Sequence, residues 1–217
     1  MSKEYKYVIF DLDGTLTDSA IGITNSVAFA LKRWGIEVED KSTLNCFVGP
    51  PLARSFEKYF GFSKDQALEA VDEYRVYYRE KGIFENLVYP GVHEMLSELR
   101  KRGKKLILAT SKPEHFAKQI LDYFDLAKYF DFVAGATMDS SRTKKGSVIA
   151  YALSNFGITD PSECIMVGDR DQDTVGAREN GIDCIGVLYG YGDLAELSKV
   201  DTKYIVETTD DVLSYIQ

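Results

Sequence analysis

Two short acidic runs carry the residue types best suited to chemistry. The first reads Asp11-Leu12-Asp13-Gly14-Thr15-Leu16-Thr17-Asp18 and follows an apolar, β-rich stretch at residues 5–10 (YKYVIF). A carboxylate at the end of a buried strand points into the crevice where open α/β sheets bind their ligands. Asp13, two residues on, can serve the same ligand, and Gly14 permits a tight turn with close backbone approach. The plain alternative is that both aspartates cap a turn or a helix. Two carboxylates at a strand end are costly to desolvate unless a cation or a donor satisfies them, which favours the chemical reading. The second run, Gly168-Asp169-Arg170-Asp171-Gln172-Asp173, also follows an apolar stretch directly. Asp169 and Asp173 would add hard oxygen ligands of the kind Mg2+ takes alongside water and phosphate oxygens. By itself this run reads equally well as an acidic surface loop.

Two further signals gain meaning only beside these. Thr110 ends the run KKLILAT and is followed by Ser111-Lys112-Pro113 and a helical pattern. A hydroxyl and free backbone N–H groups at a strand-to-helix junction can bind phosphate oxygens, although Thr and Ser are also routine helix caps. Arg142-Thr143-Lys144-Lys145 precedes a helix expected to start near Gly146. A lysine from this run could neutralise a carboxylate nucleophile and a phosphoryl oxygen together. The residues themselves leave Lys144 and Lys145 both open.

These side chains need a scaffold that brings distant runs to one place. Residues 5–10, 104–110, 131–135, 164–169 and 183–188, and more weakly 203–207, are nearly continuous in apolar residues, as strands buried on both faces are. Helical periodicity falls between them at 92–102, 114–123, 147–156 and 174–180. Alternation of this kind predicts an α/β fold, a Rossmann-like doubly wound parallel sheet with helices on both faces. The interval 18–85 breaks the rhythm. It has helical patterns at 21–34, 42–48, 51–60 and 64–81 and no convincing strand. The expected organisation is therefore a core of residues 1–17 and 86–217 with an inserted α-helical cap domain at 18–85.

Length and composition agree with such a protein. The chain has 217 residues, 45% hydrophobic and 28% charged, with no run approaching the ~18 apolar residues of a membrane span. The start of the chain is polar and lacks the apolar region of a signal peptide, so a cytoplasmic location is expected. Cys46, Cys164 and Cys184 form no metal-binding or disulfide pattern. A net charge of −8 opposes binding to nucleic acid polymers and anionic membranes. A phosphate ligand would then need local positive charge, which a metal ion supplies. Oligomeric state is not readable.

The D-x-D-G-T-L-T-D run and the later G-D-x-x-x-D, with Thr110 and the basic run between them, resemble the haloacid dehalogenase-like hydrolase superfamily over essentially the whole chain. The nearest likeness is to its phosphoglycolate phosphatase-like and 5′-nucleotidase-like branch, whose members carry a helical cap just after the first motif. The resemblance implies a phosphatase that hydrolyses a small phosphorylated metabolite through an aspartyl-phosphate. By it, Asp11 is the nucleophile and Asp13 the general acid/base. Thr110, Ser111 and Lys145 bind the transferring phosphoryl group. Asp11, the backbone carbonyl of Asp13, and Asp169 hold Mg2+, with Asp173 and Gly14 in support. Relatives often have Lys-Pro where this chain reads Lys144-Lys145-Gly146, and the spacing they share to Val148-Ile149 selects Lys145. Dehalogenating members lack an aspartate at the position of Asp13, which argues against that reaction here.

The insert is expected to act as a lid that excludes water and reads the leaving group. The segment Phe47-Val48-Gly49-Pro50-Pro51-Leu52 is a candidate specificity loop, with Gly49, Pro50 and then Arg54 its candidate contacts. An ordinary connection between helices would explain the same residues. Two other functions use the same motifs: a sugar phosphomutase, and a non-catalytic binder of phospho-ligands on a hydrolase scaffold.

Overall fold

The near-continuous apolar runs become the strands of one parallel sheet in the computed structural model, which describes residues 4–139 and 141–216. The first residues of the N-terminal stretch, weighed above as a signal peptide, lie outside the described residues. In chain order the elements are β1 (Tyr7–Phe10), β2 (Thr17–Asp18), α1 (Ala20–Leu31), α2 (Leu52–Phe60), α3 (Lys64–Tyr77), β3 (Leu87–Val88) and α4 (Val92–Lys101). They continue with β4 (Lys105–Pro113), α5 (Glu114–Tyr123), β5 (Phe132–Ala136), α6 (Lys145–Phe156), β6 (Cys164–Gly168), α7 (Asp171–Glu179), β7 (Asp183–Val187), α8 (Leu194–Lys199), β8 (Tyr204–Val206) and α9 (Thr209–Tyr215).

The six-stranded sheet has the order β5-β4-β1-β6-β7-β8. Residues 8–10 of β1, 106–109 of β4 and 165–167 of β6 have no measurable solvent exposure, which is why their sequences do not alternate. The chain runs outward from β1 through β4 and β5, then returns to the other side of β1 to form β6. Strand order therefore reverses beside β1, and in doubly wound sheets the crevice at such a reversal is where ligands bind. Cys164 and Cys184 are buried free thiols in β6 and β7.

The chain divides into two compact units, residues 1–17 with 88–217, and Asp18–Leu87. The second unit is helical. It packs α1 against α3, and α2 adds a cluster of rings. A turn of π-helix, Tyr78–Gly82, ends the expected 64–81 helix, and a 3-10 helix covers Lys41–Phe47. No helix among the described residues is long and apolar enough to cross a membrane.

The boundaries differ from expectation where chemistry is concentrated. Strand β4 continues beyond Thr110 to Pro113, with a register irregularity between Ala109 and Pro113. Helix α7 starts at Asp171, not near Thr174, so Asp173 lies in its first turn and not in a loop. There its side chain accepts from the Arg170 N–H at 3.1 Å, closing the helix start. Helix α6 starts at Lys145, one residue before the expected Gly146. Helices α8 and α9 have no counterpart in the helical periodicity, although Asp193 and Thr208 cap them by accepting from the N–H groups of Glu196 and Asp211.

Candidate active site

Three adjacent strands end at the candidate site, and their register sets its geometry. Phe10 is level with Leu108 of β4 on one side and with Val167 of β6 on the other. The residues just beyond these positions are Asp11, Thr110 and Asp169, so parallel pairing alone brings all three to one end of the sheet. The Asp11 N–H still donates to the Val167 carbonyl at 3.0 Å, which ties the start of the acidic run to the sheet.

The chain then turns sharply. Leu12 O accepts from the N–H groups of Thr15, Leu16 and Thr17, and Gly14 N–H donates to Thr17 O at 2.8 Å. Gly14 has φ +86°, and a Cβ there would lie 2.2 Å from Asp169 Oδ2. Both facts demand glycine, and the second means that the loop backbone leans directly on the Asp169 carboxylate. On its other flank, Asp169 Oδ2 accepts from Tyr191 N–H at 2.8 Å. Tyr189 hydroxyl donates to Thr15 O at 3.1 Å, so the loop after β7 braces both acidic runs.

Lys145 and Asp173 arrive on helices that cross at small residues. A Cβ on Gly176 would come within 2.8 Å of Gly146 N, and one on Gly146 within 1.9 Å of Glu179 Oε2. Asn180 locks the crossing by donating to Gly146 O at 3.0 Å and to Gly176 O at 2.8 Å. The start of α6 therefore packs on the C-terminal half of α7, and the Lys145 side chain reaches back to Asp173 in the first turn of α7. Lys145 Nζ lies 2.7 Å from Asp11 Oδ1 and 2.8 Å from Asp173 Oδ1, and donates to Ala109 O at 3.2 Å. Lys144, by contrast, is exposed. The fold thus selects between the two lysines left open by the residue pattern.

Asp11, Asp169 and Asp173 are all buried and offer oxygens within 4.8 Å of one another. The Lys145 ammonium lies within ion-pair distance of Asp11 and Asp173. Burial pushes the Asp169 carboxyl well above its ordinary range, and the Asp173 and Asp11 charges add to the effect. Burial likewise raises Asp173 to about 6, against the opposing pull of Lys145. Burial would strip the proton from Lys145, but Asp11 and Asp173 outweigh that and hold it charged. Three hard oxygen donors with uncompensated negative charge suit a divalent cation. Asp173, expected only in support, is a full member of this group, and the Asp13 carboxylate is not part of it.

Asp13 is held elsewhere. Its Oδ2 lies 3.0 Å from Lys112 Nζ, and its Oδ1 is buried with no hydrogen-bond partner among the described residues. Ser111 Oγ is likewise buried and without such a partner. Thr110 Oγ1 accepts from the Lys112 N–H at 3.2 Å, which leaves the hydroxyl proton available to an incoming oxygen. Buried polar atoms without partners are rare enough in native proteins to mark a place where a ligand binds.

Lys112 is the residue that sequence reasoning missed. The available signal was its position two residues beyond Thr110, since alternate residues of a strand share a face. Gly146, Gly176 and Asn180 were also missed, because their contribution depends on a crossing between separate helices. Gly49, Pro50 and Arg54 belong to the helical unit. Gly49 and Arg54 are exposed, Pro50 is half-buried, and Arg54 lies on α2.

Known proteins resemble this chain over most of its length. The family model described as haloacid dehalogenase-like hydrolase matches residues 8–187. A protein named 5′-nucleotidase from Pseudomonas aeruginosa is 45% identical over 89% of this chain and 87% of its own length. A protein named tyrosine-protein kinase PtkA from Mycobacterium tuberculosis is 39% identical over 91% of this chain and 67% of its own length. The crystal structure of a predicted phosphatase from Clostridium acetobutylicum superposes with a TM-score of 0.94 at 48% identity, covering 97% of each chain. With its motifs gathered at the carboxyl ends of β1, β4 and β6, this chain belongs to the haloacid dehalogenase-like hydrolases.

Proposed function

We propose that this protein is a Mg2+-dependent phosphatase that hydrolyses a small phosphate monoester through an aspartyl-phosphate on Asp11. The observation that carries the reading is the buried group of Asp11, Asp169 and Asp173, with the Lys145 ammonium on Asp11 and Asp173 and with Asp13 Oδ1 buried without a hydrogen-bond partner among the described residues. Phosphoryl transfer asks a protein mainly for alignment and charge stabilisation, and this group supplies both.

In the first step the Asp11 carboxylate attacks phosphorus and the ester oxygen departs. Asp13 gives that oxygen a proton, so the product leaves as an alcohol. In the second step Asp13 takes a proton from water as the water attacks the aspartyl-phosphate. Inorganic phosphate leaves and the Asp11 carboxylate is restored. One residue thus serves as acid and then as base. Lys145 offsets charge on Asp11 and on a phosphoryl oxygen, while the Thr110 and Ser111 hydroxyls donate to the others. Asp11, Asp169 and Asp173 would hold the cation together with the Asp13 carbonyl, and the bound ion would neutralise phosphoryl oxygens and fix their direction.

The names of two relatives, 5′-nucleotidase and tyrosine-protein kinase, point to different phosphoryl acceptors. Asp11→Asn distinguishes the reading from non-catalytic binding. The variant is expected to fold, to bind Mg2+ more weakly and to release no phosphate from any monoester in a panel with magnesium. Appreciable turnover by Asp11→Asn would refute the proposal. The same panel, run with ATP and a tyrosine-containing peptide, reports whether water or a hydroxyl accepts the phosphoryl group.

A further inference from the structure

Lys112 is a buried lysine at a point where the reaction described above assigns it no part. Its side chain is 5% exposed, and that of Asp13 11%. A buried ammonium needs a carboxylate, and one lies 3.0 Å away at Asp13 Oδ2. The two oxygens of Asp13 are therefore in different situations. Oδ2 is held by Lys112, and Oδ1 is buried without a hydrogen-bond partner among the described residues.

The backbone explains how Lys112 reaches this position. Strand β4 continues past Thr110 through an irregular register to Pro113. The Lys112 N–H donates to Thr110 Oγ1 at 3.2 Å, which ties the segment carrying the lysine to the residue expected to bind phosphate. One strand end thus carries both a hydroxyl for the phosphoryl oxygens and a cation for the acid that protonates the leaving group.

We infer that Lys112 is a positioning residue for the proposed phosphatase reaction: by holding Asp13 Oδ2 it aims Oδ1 at the ester oxygen that leaves. The inference rests on the function proposed above. Lys112 forms and breaks no bond. The proton passes from Asp13 to the departing oxygen as the P–O ester bond breaks and the Asp11 O–P bond forms. Its effect should therefore scale with how much the leaving group needs that proton.

The test compares p-nitrophenyl phosphate, whose phenolate leaves readily without a proton, with phenyl phosphate and an alkyl phosphate, whose alkoxide does not. Leaving-group release is followed in single turnover with saturating magnesium, which isolates the first step. Lys112→Met is expected to slow the alkyl ester about 10- to 100-fold and p-nitrophenyl phosphate less than about 3-fold, as loss of aimed general-acid catalysis requires. Lys112→Arg should recover most of the alkyl rate. In an Asp13→Asn background the further loss from Lys112→Met should vanish, since the lysine then has no acid to aim. Lys112→Gln carries the same expectations if Lys112→Met does not fold.

Equal losses for all three esters would overturn the inference, because a structural lysine or one that binds phosphate directly does not distinguish leaving groups. Persistence of the Lys112 effect in the Asp13→Asn background would overturn it too. In both cases wild-type turnover leaves the proposed function standing. If the wild-type protein hydrolyses none of the esters, the proposed function fails and takes this inference with it.

Discussion

The two units of this protein solve opposite packing problems. In the first, strands buried on both faces carry charged groups to one end of the sheet, where Asp11, Asp169, Asp173 and Lys145 lie nearly inaccessible to solvent. In the second, rings and small residues form the interior. Phe47, Phe56, Phe60 and Phe62 contact one another, with Phe56 and Phe62 stacked at 5.9 Å, and Trp34 lies 4.9 Å from Phe62. Its ion pairs, such as those of Arg33 with Glu69 and Glu73, are on the surface, where they add little. Burying charge is costly, and a fold tolerates it where function needs it; burying rings is favourable in itself. In the proposed function the bond-breaking chemistry falls to the first unit.

Perturbing each unit in turn tests that contrast. The largest effect is expected at Asp11, the proposed nucleophile. Asp11→Asn should reduce phosphate release by on the order of 10⁴-fold or more, with an unchanged far-UV circular dichroism spectrum. Lys145→Met should follow, with a loss of roughly 10²- to 10³-fold in kcat. It should also lower the thermal midpoint, since it leaves buried carboxylates without their ammonium. A stable and active Lys145→Met protein would contradict the charge balance described here.

In the helical unit, Phe56→Ala should cost about 3–5 kcal/mol, the usual penalty for emptying a buried ring position. Hydrogen exchange checks where the cost falls. Amides within residues 18–87 should lose protection while those of β1, β4 and β6 keep theirs. Uniform loss would mean that the units unfold together.

Metal removal gives a smaller effect. Magnesium at about 100 times its dissociation constant should raise unfolding free energy by about 2.7 kcal/mol over chelated protein. The chelated protein should also respond to pH with a defined sign. Asp173 has its folded pKa raised to about 6 by burial, above the ordinary carboxyl value, so the folded state holds that proton more tightly than the unfolded chain. Its contribution to stability is full below about pH 4 and is lost as pH rises towards 6. Thermal melts of wild type and Asp173→Asn in chelator should therefore diverge over that interval, the wild type falling relative to the variant. Magnesium should restore the wild type alone.

The smallest effect concerns leaving-group recognition. Arg54→Ala is expected to raise KM about 3- to 10-fold with kcat nearly unchanged, the pattern of lost ground-state binding. An unchanged KM across nucleotide and small-acid phosphates would remove Arg54 from the specificity residues.

Several of the site residues are legible in the amino-acid sequence itself. Runs without alternation reveal doubly buried strands, and each acidic run begins where one of those strands stops. The parallel pairing of β1 with β4 and β6 then brings Asp11, Thr110 and Asp169 to one end of the sheet. Asp173 is legible as an acid of the second run, but not as a member of the buried group. Its role depends on α7 starting three residues earlier than the apolar periodicity indicates, and polar first turns carry no such periodicity. The caps of α8 and α9 are written in Asp193-x-x-Glu196 and Thr208-x-x-Asp211, but short helices offer too few apolar positions to stand out.

Local pattern thus determined the α/β class, the parallel sheet, the helices α1, α2 and α3 and the two acidic runs, because strand and helix periods and turn-forming residues act over neighbouring positions. Tertiary structure decided which lysine faces Asp11, which carboxylates share one buried space, and that Lys112 holds Asp13. Those choices depend on a crossing at Gly146 and Gly176 and on an irregular strand end, where residues far apart in the chain set each other's positions.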